Sequence, residues 1–123
     1  MNTKTCEVGL WISDYKCWKC KKNIEVLVGI KIDNEVYSIL SLSEMSVDFI
    51  NKYFPNTVNL RKNIGIIGNV SNYCPYCKST IGNFYIYDDI YLEVAVTGLE
   101  DFETDKSIEV ECIEAEKLLS DDK

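Results

Sequence analysis

The chain has 123 residues, 46% hydrophobic and 27% charged, which suits one domain around one core and excludes a low-complexity class. Its formal net charge is −7, a balance that argues against non-specific nucleic-acid binding, whose affinity comes from Lys and Arg on phosphates. The longest mostly apolar run, Ile24 to Ile32, is interrupted by Glu25 and Lys31 and is too short to span a bilayer; Met1–Cys6 has no apolar core of signal-peptide length, so the expected location is cytoplasmic, with no membrane partner.

In chain order, Glu7 to Ile12 reads as a short strand leading into Cys17-Trp18-Lys19-Cys20. Ile24, Val26, Val28, Ile30 and Ile32 occupy every second position, which predicts a long strand with one apolar face. Asp33-Asn34-Glu35 is a turn, and Val36 to Leu40 returns as the hairpin partner. Ser43 or Ser46 is placed to cap a short helix whose Val47, Ile50 and Phe54 form one apolar stripe, with Pro55 after it. Val58 to Lys62 is a further strand candidate. Gly65 and Gly68 lack the Gly-Lys-Ser/Thr ending of a phosphate loop and are read as backbone turning beside the second cysteine pair, Cys74-Pro75-Tyr76-Cys77. Phe84 to Tyr87 and Tyr91 to Thr97 are rich in β-formers, which predicts two strands joined by a turn at Asp88-Asp89. Ser107 to Ile113 is the last strand, and Glu114 to Ser120 a helical turn. The sum is an α+β domain over 1–123: a mainly antiparallel β-sheet with one short packed helix and the two cysteine pairs pinning one end.

The six cysteines are Cys6, Cys17, Cys20, Cys74, Cys77 and Cys112. A cytoplasmic setting disfavours a disulfide framework. Cys112 falls in the alternating run Ile108-Glu109-Val110-Glu111-Cys112 and reads as a small buried apolar residue; the sequence does not place Cys6. C-P-Y-C looks like the active-site tetrapeptide of glutaredoxins, but that fold places the motif near the start of the chain and faces it with a later cis-proline. Here 46 residues follow Cys77 and none is proline. The metal reading is stronger. Each C-x-x-C turn sets two sulfurs on one side of a tight loop, and two such turns supply four thiolates, the ligand set of a structural Zn²⁺. Histidine is absent, so a mixed Cys/His site is excluded. Lys16, Lys19, Lys21, Lys22 and Lys78 lie at the pairs and can offset the charge of a four-thiolate zinc. Lys21 and Lys78 follow the second cysteines, where Gly is common because the backbone turns to positive φ.

On those two motifs the chain resembles the zinc-ribbon class of four-cysteine proteins, over the knuckles Cys17–Cys20 and Cys74–Cys77 and no further. The resemblance implies a closed, non-catalytic metal site with Cys17, Cys20, Cys74 and Cys77 as ligands to one zinc.

No catalytic set is visible, and the expectation is a non-enzyme. Residues 1–99 carry ten acids and ten bases, whereas 100–123 carry ten acids against three lysines, the whole of the excess. That segment reads either as solvated strand and frayed tail or as a surface for a basic partner. Three functions stand at this point. The first is a protein-interaction module, such as an inhibitor, immunity factor or adaptor, meeting a basic protein with its acidic segment. The second is nucleic-acid binding by the lysine-bearing knuckles, with Trp18 and Tyr76 stacking on bases. The third is a thiol redox or zinc-sensing protein.

Overall fold

The structure is a computed structural model and describes residues 4–63, 68–97, 104 and 106–120. It is α+β and mostly antiparallel. One sheet has four strands in the order β3-β2-β1-β7, where β1 is Thr5–Lys16, β2 Asn23–Ile32, β3 Glu35–Ser38 and β7 Lys106–Glu111. A second sheet of three strands runs β4-β5-β6, with β4 Leu60–Lys62, β5 Val70–Tyr73 and β6 Thr80–Ile81.

The hairpin of β1 and β2 organises the rest. β1 alternates between two apolar clusters: Cys6, Val8 and Leu10 join the first, Trp11 and Cys17 the second. β2 departs from the single apolar face that its alternation predicts. Trp11 pairs with Gly29 and Ile12 with Leu27, so Val28 is an extra residue on β2. A β-bulge of this kind reverses which side the following residues face. Ile24, Val26 and Val28 accordingly enter the second cluster, while Leu27 and Ile30 enter the first and Ile32 packs against it.

Helices fill the remaining sides of both clusters. α1, Met45–Tyr53, follows a short 3₁₀ turn and buries Val47, Phe49 and Ile50 in the first cluster, as its stripe predicts. Neither expected serine caps it. Ser46 Oγ donates to the Ser43 carbonyl at 2.7 Å, and Ser43 Oγ donates to the Lys117 carbonyl. The region after the second knuckle is helical, not two strands: α2 Asn83–Ile86, a π-helical turn Tyr87–Tyr91 and α3 Leu92–Thr97. Asn83, Ile86, Tyr87, Ile90, Tyr91 and Val94 are its buried or half-buried positions, an i, i+3, i+4, i+7 pattern that lays one stripe on the second cluster. Asp88 and Asp89 are exposed on its outer side, within the helix and not in a turn.

Over 106–120 the acidic C-terminal segment is folded, not frayed. β7 lies beside β1, and α4, Cys112–Glu116, follows it directly. Ser43 N donates to the Leu118 carbonyl at 2.7 Å and Ser120 N to the Ser41 carbonyl at 2.8 Å, with Leu118 buried. Cys112 is not a free apolar residue: it is bonded to Cys6, a disulfide across 106 residues of chain. A cross-link over a loop of that length contributes roughly 4–5 kcal/mol in the chain-entropy account. The expected absence of a disulfide, inferred from a cytoplasmic setting, is therefore corrected. Among the described residues no helix is long and apolar enough to cross a membrane.

A buried side chain of the second sheet ties it to the first. Asn72 in β5 is 1% exposed. Its Oδ1 accepts from Leu27 N at 2.7 Å, and its Nδ2 donates to Leu27 O at 3.0 Å. β3 pairs β2 only from Gly29 to Ile32, so the Asn72 amide takes the place of a strand residue beside Leu27. Asn72→Leu would fill the space and leave two buried backbone groups unpaired, each worth about 1–3 kcal/mol. The expected loss, read from urea unfolding, is roughly 2–6 kcal/mol by the same principle; a loss below about 1 kcal/mol would contradict the tie.

Candidate metal centre

Both cysteine motifs are the turns of β-hairpins. Lys16 pairs with Asn23 across β1 and β2, and Tyr73 pairs with Thr80 across β5 and β6. Each turn therefore spans six residues, Cys17-Trp18-Lys19-Cys20-Lys21-Lys22 and Cys74-Pro75-Tyr76-Cys77-Lys78-Ser79. Their backbones match bond for bond. Cys17 N donates to Lys22 O at 2.9 Å and Lys21 N to Cys17 O at 3.0 Å; Cys74 N donates to Ser79 O and Lys78 N to Cys74 O, both at 2.8 Å. Lys21 has φ 66° and Lys78 φ 67°, the left-handed conformation that glycine takes most easily. The two turns thus share one backbone shape, with Lys at the position where Gly is common.

The structure brings all four predicted ligands together. The sulfurs of Cys17, Cys20, Cys74 and Cys77 lie within 4.8 Å of one another. Two separations that run between the knuckles, Cys17 to Cys77 and Cys20 to Cys74, are both 3.6 Å. A tetrahedral Zn²⁺ with Zn–S of about 2.3 Å requires sulfurs about 3.8 Å apart. The four are free thiols, and neither motif closes on itself as a disulfide. Cys17 and Cys74 are fully buried at the end of the second apolar cluster, while Cys20 and Cys77 are half-buried. This donor set fits a metal ion, and four sulfur ligands suit thiophilic metals such as zinc or iron.

The thiols do not share one acidity. Hydrogen bonds from the Ser79 hydroxyl and amide bring Cys77 down to about 6. The Cys20 amide, with that of Lys19, lowers Cys17. Cys20 receives the Lys22 amide, yet desolvation and the neighbouring thiols push it up to about 11. Packed thiols resist simultaneous ionisation because thiolates repel, and a central cation removes that repulsion.

Around the cage, the selected Trp18, Tyr76 and Lys22 make cross-hairpin contacts, and Arg61 and Tyr73, which sequence reasoning did not select, join them. Trp18 Nε1 donates to the Thr80 carbonyl at 3.0 Å, so the first knuckle's indole is held by the strand leaving the second. The converse contact is Lys22 Nζ, 4.6 Å from the centre of the Tyr76 ring. Arg61 lies over Tyr73 at 4.3 Å and donates to the Lys78 carbonyl at 2.9 Å. The shared pattern C-x-x-C-K-x is the one sequence signal for the matched turns; nothing local in sequence announces Arg61 or Asn72. Gly68 has φ +83°, while Gly65 lies outside the described residues, so the proposed turn there is described only in part.

Comparison with protein-family models, with curated proteins and with solved structures finds no match in any of the three.

Two outcomes follow from this geometry. Complete removal of metal by a strong chelator should abolish the native circular dichroism, because structural zinc contributes on the order of 10 kcal/mol against a net stability of about 5–15 kcal/mol; an unchanged spectrum would refute the structural role. At the left-handed positions, Lys21→Gly should be neutral or stabilising by up to about 1 kcal/mol, and Lys21→Val should destabilise by more than about 1 kcal/mol. Identical melting of all three proteins would contradict the assigned backbone.

Proposed function

We propose that the protein is a non-enzymatic interaction module whose fold is held by one structural zinc at Cys17, Cys20, Cys74 and Cys77, in the manner of a zinc ribbon. The observation that supports this reading is the gathering of four sulfurs within 4.8 Å of one another, two of them fully buried; a zinc held by all four would have no position left for water or substrate.

The binding surface is set by charge. Glu7, Asp33, Glu35, Glu109 and Glu111 are exposed at the end of the four-stranded sheet where β1 begins and β7 ends. Glu7 stands directly opposite Glu109 in the ladder. Like charges placed so disfavour the pairing by a few tenths of a kcal/mol to about 1 kcal/mol. A basic protein surface docked on this end would relieve that repulsion and be drawn to it at long range. The partner class is therefore a protein with a basic face.

Glu109→Lys combined with Glu111→Lys separates stability from function. The double variant should melt at the same temperature or higher, since it removes a repulsive pair. In co-purification from the native host it should lose a partner that the unaltered protein retains. Equal recovery of that partner by both proteins would overturn the assignment of this face.

A further inference from the structure

The knuckle end is chemically the opposite of the acidic end. Trp18 and Tyr76, the exposed middle residues of the two turns, are 59% and 60% exposed. Each is positioned by the other hairpin, Trp18 through its bond to the Thr80 carbonyl and Tyr76 beneath the Lys22 ammonium. Around them the exposed lysines of both turns are joined by Arg61. Lys21 Nζ donates to the Trp18 carbonyl, Lys22 lies over the Tyr76 ring, and Arg61 and Lys78 lie over Tyr73, so these cations are set against rings and a carbonyl. Lys21 and Lys78 add a separate observation. Both hold a left-handed backbone that glycine would adopt without steric conflict, yet both carry a cation. A local conflict of this kind at two equivalent positions marks a place where the side chain is wanted for something other than folding.

We infer that the knuckle face binds single-stranded nucleic acid, with Trp18 and Tyr76 as stacking platforms for bases and Lys21, Lys22, Lys78 and Arg61 as the phosphate contacts. Unpaired bases present the faces that exposed, pre-oriented rings can stack on, whereas a duplex hides them. The charge is complementary: the cations at the two turns outnumber the net −2 of a four-thiolate zinc. Asp14 and Glu25, paired across β1 and β2, lie in a groove with Pro75 and Tyr76 and mark the edge of the face, where phosphate is repelled. This site goes beyond the protein-binding reading and lies at the other end of β1, about 30 Å away at the rise of an extended strand.

The test uses the zinc-loaded full chain and a fluorescently labelled mixed-sequence 20-nucleotide strand, as DNA and as RNA, with the matching duplex as control. A protein of net charge −7 is repelled by a polyanion as a whole, so binding reports on a local face. Trp11 is buried, so quenching of tryptophan fluorescence by unlabelled strand reports on Trp18. The expected results are binding at low salt that weakens more than about tenfold for a fourfold rise in salt, and a preference for the single strand over the duplex. Trp18→Ala with Tyr76→Ala should lower affinity by at least about tenfold with zinc content and melting unchanged. Lys21→Gly with Lys78→Gly should weaken binding while the fold is kept or stabilised. No binding of either strand at low salt would overturn the inference, as would duplex binding of equal strength or affinity unaltered in the Trp18/Tyr76 variant. The Glu109/Glu111 variant should bind the strand as well as the unaltered protein, so failure at one end is distinguishable from failure at the other.

Discussion

Four cysteine sulfurs brought within 4.8 Å of one another are the constraint on which the remainder of the structure depends. They come from two hairpin turns separated by more than fifty residues, one in each sheet. Nothing local makes those turns meet. The Asn72 amide locks β5 against β2, and the second apolar cluster runs from Trp11 through Ile24, Val26 and Ile81 to the buried sulfurs of Cys17 and Cys74. Packing brings the turns together, and a cation held there would make four adjacent thiolates tolerable. At the far end the Cys6–Cys112 bond joins the first strand to the last described helix. Cysteine sulfurs thus lie at both ends of the β1–β2 hairpin.

The parts legible in the sequence were those with a short-range signature. The clustering of the four cysteines could be read because C-x-x-C fixes two sulfurs within one turn, and two such turns invite a shared site. The β1–β2–β3 meander and α1 could be read from periodicity. The failures have identifiable physical causes. Val28 sits in a bulge, and alternation cannot register an inserted residue. The stretch 83–97 is rich in tyrosine, isoleucine and valine, whose strand preference is a statement about half-buried surfaces in general. The helical spacing of Ile86, Ile90 and Val94 was present in the sequence, and packing against Trp11 favours it over propensity; Tyr91 lies 5.4 Å from the Trp11 ring. The Cys6–Cys112 bond spans nearly the whole chain and has no local mark. Its prediction failed because compartment was inferred first and pairing second.

Charge is organised along the same axis. The excess acid lies in the last quarter of the sequence, and β7 carries its described part to the start of β1. The lysines of both turns, with Arg61, gather at the other end. Among the described residues an acidic cluster and a basic cluster thus lie at opposite ends of β1, an arrangement of topology that no segment shows alone. Acidic glutamates opposed across a ladder, and lysines held in a conformation suited to glycine, are both locally unfavourable. Each lies at one pole, which is where the two proposed ligands would bind.

X-ray absorption at the zinc edge of the purified, metal-loaded protein tests the central claim most directly. The account predicts one zinc per chain with a first shell of four sulfurs at about 2.3 Å and no oxygen or nitrogen neighbour. A shell with fewer sulfurs and a bound water, or a protein that folds fully with no metal taken up, would contradict it.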